Sequence, residues 1–280
     1  MQEVSEVSAL KTWIRSQRTA GRRIGFVATM GSLHEGHLAL VDEARRRADA
    51  VVMSVFVNPL QFGPGEDFDR YPRDLDRDRT LAAERGVDLL FVPSVATMYP
   101  PGAATRIMPG PGADRWEGAV RPGHFAGVLT VVAKLFHLVE PDVACFGQKD
   151  IQQLTLVRHM VRDLDFSLEL AVLPTVREPD GLALSSRNVY LDPVQRRDAL
   201  ALSRGLQAAA AAWRAGERSG AALESLVGRE LGAAPALRAE YIAAIDPEHL
   251  ERIAEALPGT ILAVAARVGR TRLIDNLILQ

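Results

Sequence analysis

The sequence predicts an α/β protein: a doubly wound parallel sheet followed by a smaller α+β region. Three observations carry that prediction. Short apolar runs alternate with amphipathic helical patterns over the first two-thirds of the 280 residues. The runs are nearly unbroken in β-branched and apolar residues, as strands covered on both faces must be. After Pro193 the composition shifts to Ala, Leu and Arg at helical spacing, and short mixed elements follow.

Ile24 to Thr29 reads as the opening strand and Gly36 to Ala48 as a helix. In that helix Leu38, Val41, Ala44 and Ala48 share one face, with Asp42, Glu43 and the arginines Arg45, Arg46 and Arg47 opposite. The arginine run is a solvated helix face rather than a nucleic-acid footprint. Ala50 to Val57 is a strand, Asp74 to Arg85 a helix, Leu89 to Val92 a strand and Phe125 to Val139 a helix. A further unit has strand Val143 to Phe146, helix Asp150 to Leu164 and strand Ser167 to Leu173. Such repetition gives right-handed crossovers and a Rossmann-like sheet, whose ligands sit beyond the carboxyl ends of the strands. Chemistry is therefore expected at Met30 to His37, Asn58 to Gln61, Gly147 to Asp150 and from Pro174 onward. Turn residues at Glu178 to Gly181 and the polar Ser185 to Asn188 lead into a long helix from Pro193 to about Gly216. Strands follow at Ile261 to Val268 and Arg272 to Leu279, which divides the chain into domains of residues 1–186 and 187–280.

Hydrophobic content of 48%, charged content of 24% and a net charge of −2 describe an ordinary globular chain. They give no electrostatic footprint for nucleic acid or an acidic membrane, so neither is expected as a partner. Charges interrupt every apolar stretch short of spanning length and no apolar leader core stands at the N-terminus, which points to the cytoplasm. The single cysteine, Cys145, lies in the apolar run Val143 to Phe146 and reads as a small buried hydrophobe.

The strongest chemical signal is Thr29 to His37, directly after the first strand and opening the first helix. Two histidines three apart at a helix start project in nearly the same direction. Free N–H groups and the macrodipole there attract anions and favour a neutral imidazole that still donates one hydrogen bond. Gly31 and Gly36 have P-loop spacing, but His37-Leu38 stands where Lys-Ser/Thr belongs. Zinc binding by His34 and His37 lacks both the H-E-x-x-H pattern and an obvious third ligand. By spacing alone a phosphate site and a pair of capping or packing histidines both remain open.

His34-x-Gly36-His37 resembles the HxGH signature of the nucleotidyltransferase and class I aminoacyl-tRNA synthetase superfamily. Within it the chain is similar to the pantothenate synthetase (pantoate–β-alanine ligase) family. The likeness continues through Phe56 to Phe62, Tyr71-Pro72-Arg73, Arg121 to Phe125, Phe146 to Asp150, Asp180 to Asn188 and Leu273 to Asn276, in order along nearly the whole chain. Ala28, Leu60 and Gln148 stand where the family commonly has Pro, Met and Glu.

The resemblance implies a sheet of the HUP type and ATP-dependent condensation of (R)-pantoate with β-alanine through a pantoyl adenylate. It assigns ATP to Met30, Gly31, Ser32, Leu33, His34, Glu35, Gly36 and His37, and to Gly147, Gln148, Lys149 and Asp150. Val176 and the loop Leu184, Ser185, Ser186 and Arg187 complete that set, with two hydroxyls and a guanidinium to follow the departing pyrophosphate. His34, His37, Lys149 and Arg187 are the expected catalytic residues, and Gln61 and Gln153, with Asn58, the expected holders of pantoate. Mg²⁺ accompanies ATP. Asp76 and Asp78, in an acidic stretch with Asp74, read either as its ligands or as a helix-start charge cluster. Arg121 and His124 read as groups for the substrate carboxylate or the amine. A homodimer is implied, and a C-terminal domain acting as a lid would keep water from the adenylate. The rival readings are another HxGH nucleotidyltransferase acting on a phosphorylated acceptor, and a nucleotide- or RNA-binding module descended from a synthetase.

Overall fold

The computed structural model describes residues 1–66 and 68–280 and divides into two compact units. The first comprises Met1–Gly147 and Gln153–Pro174; the second comprises Gln148–Gln152 and Thr175–Gln280.

The first unit opens with strand β1 (Gln2–Val4) and helix α1 (Val7–Thr19). Then come β2 (Ile24–Thr29), α2 (Glu35–Arg47), β3 (Ala50–Val55), α3 (Leu75–Glu84) and β4 (Leu89–Phe91). Two one-turn helices, α4 (Val95–Met98) and α5 (Glu117–Val120), precede the long α6 (His124–Val139), followed by β5 (Val143–Gly147), α7 (Ile151–Asp163) and β6 (Glu169–Leu173). The six strands form one sheet in the order β1-β4-β3-β2-β5-β6, with every pairing parallel. From β2 the chain winds outward through β3 and β4, then returns to place β5 on the other side of β2. The order therefore reverses between β2 and β5, which is where such sheets bind ligands. Both strands end in segments flagged from the sequence.

Apolar side chains explain this placement. Val27, Val51, Met53, Leu90, Val143 and Cys145 come from four neighbouring strands and pack with Leu40, Val41 and Ala44 of α2. Helix α6 is buried nearly all round: its mid-section Val128 to Ala133 is buried, as a stretch apolar at every position but Thr130 requires.

In the second unit, α8 (Pro193–Arg214) and α9 (Gly220–Gly232) pack on an antiparallel sheet of β7 (Leu237–Ile245), β8 (Ile261–Val268) and β9 (Thr271–Ile278), ordered β7-β8-β9. Leu202, Leu206 and Trp213 from α8 meet Leu223 and Val227 from α9 over Leu262, Val264 and Leu273. Asp192 caps α8 in a full capping box with Gln195, and Pro193 occupies the first turn, where its missing N–H costs nothing. Among the described residues, no helix is long and apolar enough to cross a membrane.

Candidate active site

The loop from β2 into α2 is built around backbone amides. Gly31 and Ser32 both adopt positive φ, 82° and 52°. That turns the N–H groups of Ser32 and Leu33 toward one carboxylate: Asp78 accepts them at 2.8 and 2.7 Å, and is itself 1% exposed. A Cβ on Gly31 would lie 2.8 Å from Asp78 Oδ2 and 3.0 Å from Val55 Cγ1, so only glycine fits there. Asp76 behaves differently: its side chain is 93% exposed and pairs with Arg79. Two positions apart on a helix, the two carboxylates point away from each other. The structure thus does not bring Asp76 and Asp78 together as a metal-ligand pair, and it commits both oxygens of Asp78 to the loop. Among the described residues no group of three His, Cys, Asp or Glu is placed to hold a metal ion.

His34 is the N-cap of α2, with extended backbone and Nδ1 accepting the Gly36 N–H at 3.1 Å. An acceptor nitrogen carries no proton, so a neutral His34 bears its hydrogen on Nε2. The ring of His37 stacks on it, centroids 4.1 Å apart and planes inclined by 26°. The pair is half-buried, at a helix N-terminus beyond the carboxyl end of a central strand. One nitrogen of His34 thus serves the helix, and in the neutral ring the other carries the hydrogen.

Asn58 to Gln61 follows β3 and enters a 3₁₀ turn, Pro59–Gln61. Asn58 Nδ2 donates to Gln61 Oε1 and to the Gly127 carbonyl, both at 3.1 Å, while its Oδ1 accepts the Tyr99 hydroxyl at 2.9 Å. Burial pushes the Tyr99 phenol up to about 12, so it stays a donor. Gln61 Nε2 donates to the sulfur of Met30 at 3.1 Å, which joins this turn to the β2 loop. Asn58 is 1% and Gln61 8% exposed.

Arg121 and His124, read from the sequence as groups for the substrate carboxylate or the amine, lie against the backbone of this turn. The Gln61 carbonyl accepts from His124 Nδ1 at 2.8 Å and Arg121 Nη2 at 3.3 Å. Arg121 Nη1 lies 3.1 Å from His124 Nε2 and can only donate, so His124 is neutral with its proton on Nδ1. Glu66 takes the rest of the Arg121 guanidinium, down to 2.5 Å. Burial raises the Glu66 carboxyl, but the hydrogen bonding and charge of Arg121, with smaller contributions from His124 and the Gly63 backbone, together leave it below the usual range. Gln153 is half-buried in the first turn of α7.

In the second unit, Gln148 and Lys149 are half-buried and Asp150 exposed, immediately before α7. Asn276 Nδ2 donates to the carbonyls of Gln148 and Lys149 at 3.0 and 2.8 Å. Val176 O accepts the Leu184 N–H at 3.0 Å, closing a short hairpin whose arms meet at Arg177 and Ala183. Ser185 Oγ accepts the Arg187 N–H at 3.2 Å and so starts the 3₁₀ turn Ser186–Tyr190. Asp275 and Asn276 were given no chemical role by the sequence, and Asp78 was read there as a metal ligand or a helix-start charge, not as the anchor of the β2 loop. Their partners are backbone groups or distant side chains that no local pattern reveals.

The sequence pattern of the Pantoate-beta-alanine ligase family matches residues 2–278. A pantothenate synthetase of Moorella thermoacetica is 50% identical over 280 residues, covering 100% of this chain and 99% of that protein. The crystal structure of pantothenate synthetase from Thermus thermophilus superposes with a TM-score of 0.94 at 54% identity, over 100% of this chain and 99% of that one. A pantoate-beta-alanine ligase from Francisella tularensis, complexed with beta-gamma ATP and beta-alanine, superposes with a TM-score of 0.81 at 33% identity, covering 99% and 97%.

Proposed function

The chain belongs to the pantoate–β-alanine ligase family, and from that membership we propose that it condenses (R)-pantoate with β-alanine at the expense of ATP, giving pantothenate, AMP and pyrophosphate. The observation that carries this reading is the stacked His34–His37 pair at the α2 N-terminus, next to the amide-lined loop held by Asp78.

In the first step a pantoate carboxylate oxygen bonds to the α-phosphorus of ATP as the bond from that phosphorus to the bridging oxygen breaks and pyrophosphate leaves. The acid is already ionised at neutral pH, so no general base is required; the task is alignment and neutralisation of charge on the phosphates. His34 offers Nε2–H there, and His37, one turn on, lies in the same helix-end field. Lys149 and Arg187 supply positive charge to the phosphates, with the hydroxyls of Ser185 and Ser186. Gln61 and Gln153 hold the hydroxy acid through neutral amides, which bind without adding charge beside the carboxylate. In the second step β-alanine, as the free amine, attacks the acyl carbon of the adenylate, the bond to the phosphate oxygen breaks and AMP leaves, and the nitrogen loses a proton to give the amide.

Mg²⁺ enters as the counter-ion of ATP. Because each oxygen of Asp78 already accepts a loop amide and Asp76 is paired with Arg79, we propose that the ion sits on the triphosphate rather than on these carboxylates. We also propose a cytoplasmic homodimer, consistent with the balanced charge and the single reduced cysteine.

The test is pyrophosphate–ATP exchange with pantoate present and β-alanine omitted. Exchange that requires pantoate, together with AMP release that requires both acid and amine, supports the ligase. Exchange driven by a phosphorylated acceptor would replace it with a different nucleotidyltransfer, and tight ATP binding without turnover would leave only a binding module.

A further inference from the structure

Asn276 lies on β9, 2% exposed, in a stretch matched to the family but given no role above. Its neighbour Asp275 is 3% exposed, and the two side chains leave opposite faces of the strand. Asp275 receives both ends of the Arg177 guanidinium, at 2.6 and 2.9 Å, and Arg177 also donates to the Gly181 carbonyl at 3.1 Å. Asp275 Oδ1 accepts the Asn276 N–H at 2.8 Å as well. The hairpin of Val176 and Leu184 is thereby tied to β9, and the Asn276 backbone is fixed within the same network.

The Asn276 amide faces the segment after β5. Its Nδ2 meets the Gln148 and Lys149 carbonyls at 3.0 and 2.8 Å, and its Oδ1 accepts from Gln148 Nε2 at 3.1 Å. Carbonyls only accept, so this orientation of the amide is the one that satisfies all three contacts. Peptide units are planar and trans, so pinning the carbonyls of residues 148 and 149 turns the N–H groups of Lys149 and Asp150 the opposite way. One buried amide thus sets two consecutive peptide planes around the residue assigned to the ATP phosphates.

We propose that Asn276 is a positioning residue for Lys149: it fixes the backbone from which the ammonium reaches phosphate. The proposal rests on the phosphate role given to Lys149 above. Without Asn276, Lys149 keeps its charge and loses its bearing.

A double-mutant cycle on the full chain, read as the Kd of ATP by calorimetry, separates the possibilities, because binding stays measurable in inactive variants. Lys149→Ala weakens ATP by about tenfold, as expected for one charge-assisted contact. Asn276→Ala does nearly the same while the KM for pantoate stays unchanged. In the double variant the effects do not multiply: Asn276→Ala changes Kd less than about twofold once Lys149 is gone. Effects that multiply would overturn the positioning role while leaving Lys149 on the phosphates. An unchanged Kd in Asn276→Ala would overturn it also. No effect of Lys149→Ala would remove the phosphate role itself, and the inference with it. Should Asn276→Ala not fold, Asn276→Ser keeps one donor on a side chain one bond shorter, and a loss of ATP affinity that vanishes in the Lys149→Ala background is the expected result.

Discussion

Asp78 holds Leu33 by its backbone: the carboxylate Oδ1 accepts the Leu33 N–H at 2.7 Å across 45 residues of sequence, while Oδ2 takes the neighbouring N–H of Ser32. Asp78→Asn keeps the shape but turns one acceptor into a donor facing a donor. A buried N–H left in that state costs about 1–3 kcal/mol, to be read by urea denaturation, with pyrophosphate exchange falling as the loop loosens. The Mg²⁺ concentration for half-maximal exchange should not move. A tenfold or so increase in it would return Asp78 to the metal ligands.

His37→Ala should lower pantoate-dependent exchange by about 10²- to 10³-fold while changing the Kd of ATP by far less. The role proposed for His37 is the reason: a donor aimed at charge that grows during transfer contributes little to the resting nucleotide. Equal losses in both quantities would make His37 a packing residue.

The sheet was legible because its central strands are apolar on both faces and α2 carries one apolar stripe while α6 is apolar nearly all round. Ile24–Thr29 and Ile261–Val268 have the bounds the sequence predicts. Residues before Ile24 drew no prediction, and the reason is physical. Strand β1 has three residues with only Val4 buried, and α1 buries just Leu10 and Ile14, so the apolar pattern is thin. Strand β7 was hidden because a register shift between Ala239 and Tyr241 breaks its alternation. At the site, His34 and His37 are local in sequence and could be read together. The partners of Asp78, His124 and Asn276 are main-chain amides and carbonyls, which the sequence does not label.

Gln61→Ala should raise the KM for pantoate by about tenfold or more and leave the KM for ATP nearly unchanged. Its amide is anchored by Asn58 and Met30 and its carbonyl by His124 and Arg121, so the side chain is preset before substrate arrives. His124→Ala should give a weaker version of the same selective defect, since it frees the turn without removing the amide. Steady-state kinetics with each substrate varied in turn distinguishes the two. Equal rises in both KM values would sink the assignment.

Cys145 is 2% exposed, and burial pushes its thiol up to about 11 from an ordinary value of 9.0. Between those values the unfolded chain has released the proton and the folded chain has not. The contribution to stability is therefore complete below pH 9 and is lost as pH rises toward 11, at up to about 1.4 kcal/mol per pH unit. Cys145→Ala should flatten that part of the stability–pH curve and leave exchange activity intact. Urea titrations at a series of alkaline pH values check the slope, and a thiol reagent should reach Cys145 only on unfolding.

Gly127 decides how closely α6 can approach the turn that carries Gln61. A Cβ there would fall on the Leu60 carbonyl and lie 2.7 Å from the Gln61 nitrogen. The obstacle is backbone, not the end of a flexible side chain, so Gly127→Ala must push the turn and helix apart. The Asn58 bond to the Gly127 carbonyl stretches with it. In an exposed helix the same substitution would stabilise by about 1 kcal/mol through propensity; here overpacking costs about 1–3 kcal/mol or more and wins. The expected outcome is a lowered Tm together with a pantoate KM raised about tenfold, because the Gln61 amide is displaced by a fraction of an ångström to an ångström. Adenylylation at saturating pantoate should recover most of its rate, since the His34–His37 pair lies on a different helix. A variant with normal pantoate KM and reduced Tm would show that the turn relaxes without moving Gln61, and would separate close packing at Gly127 from acid recognition.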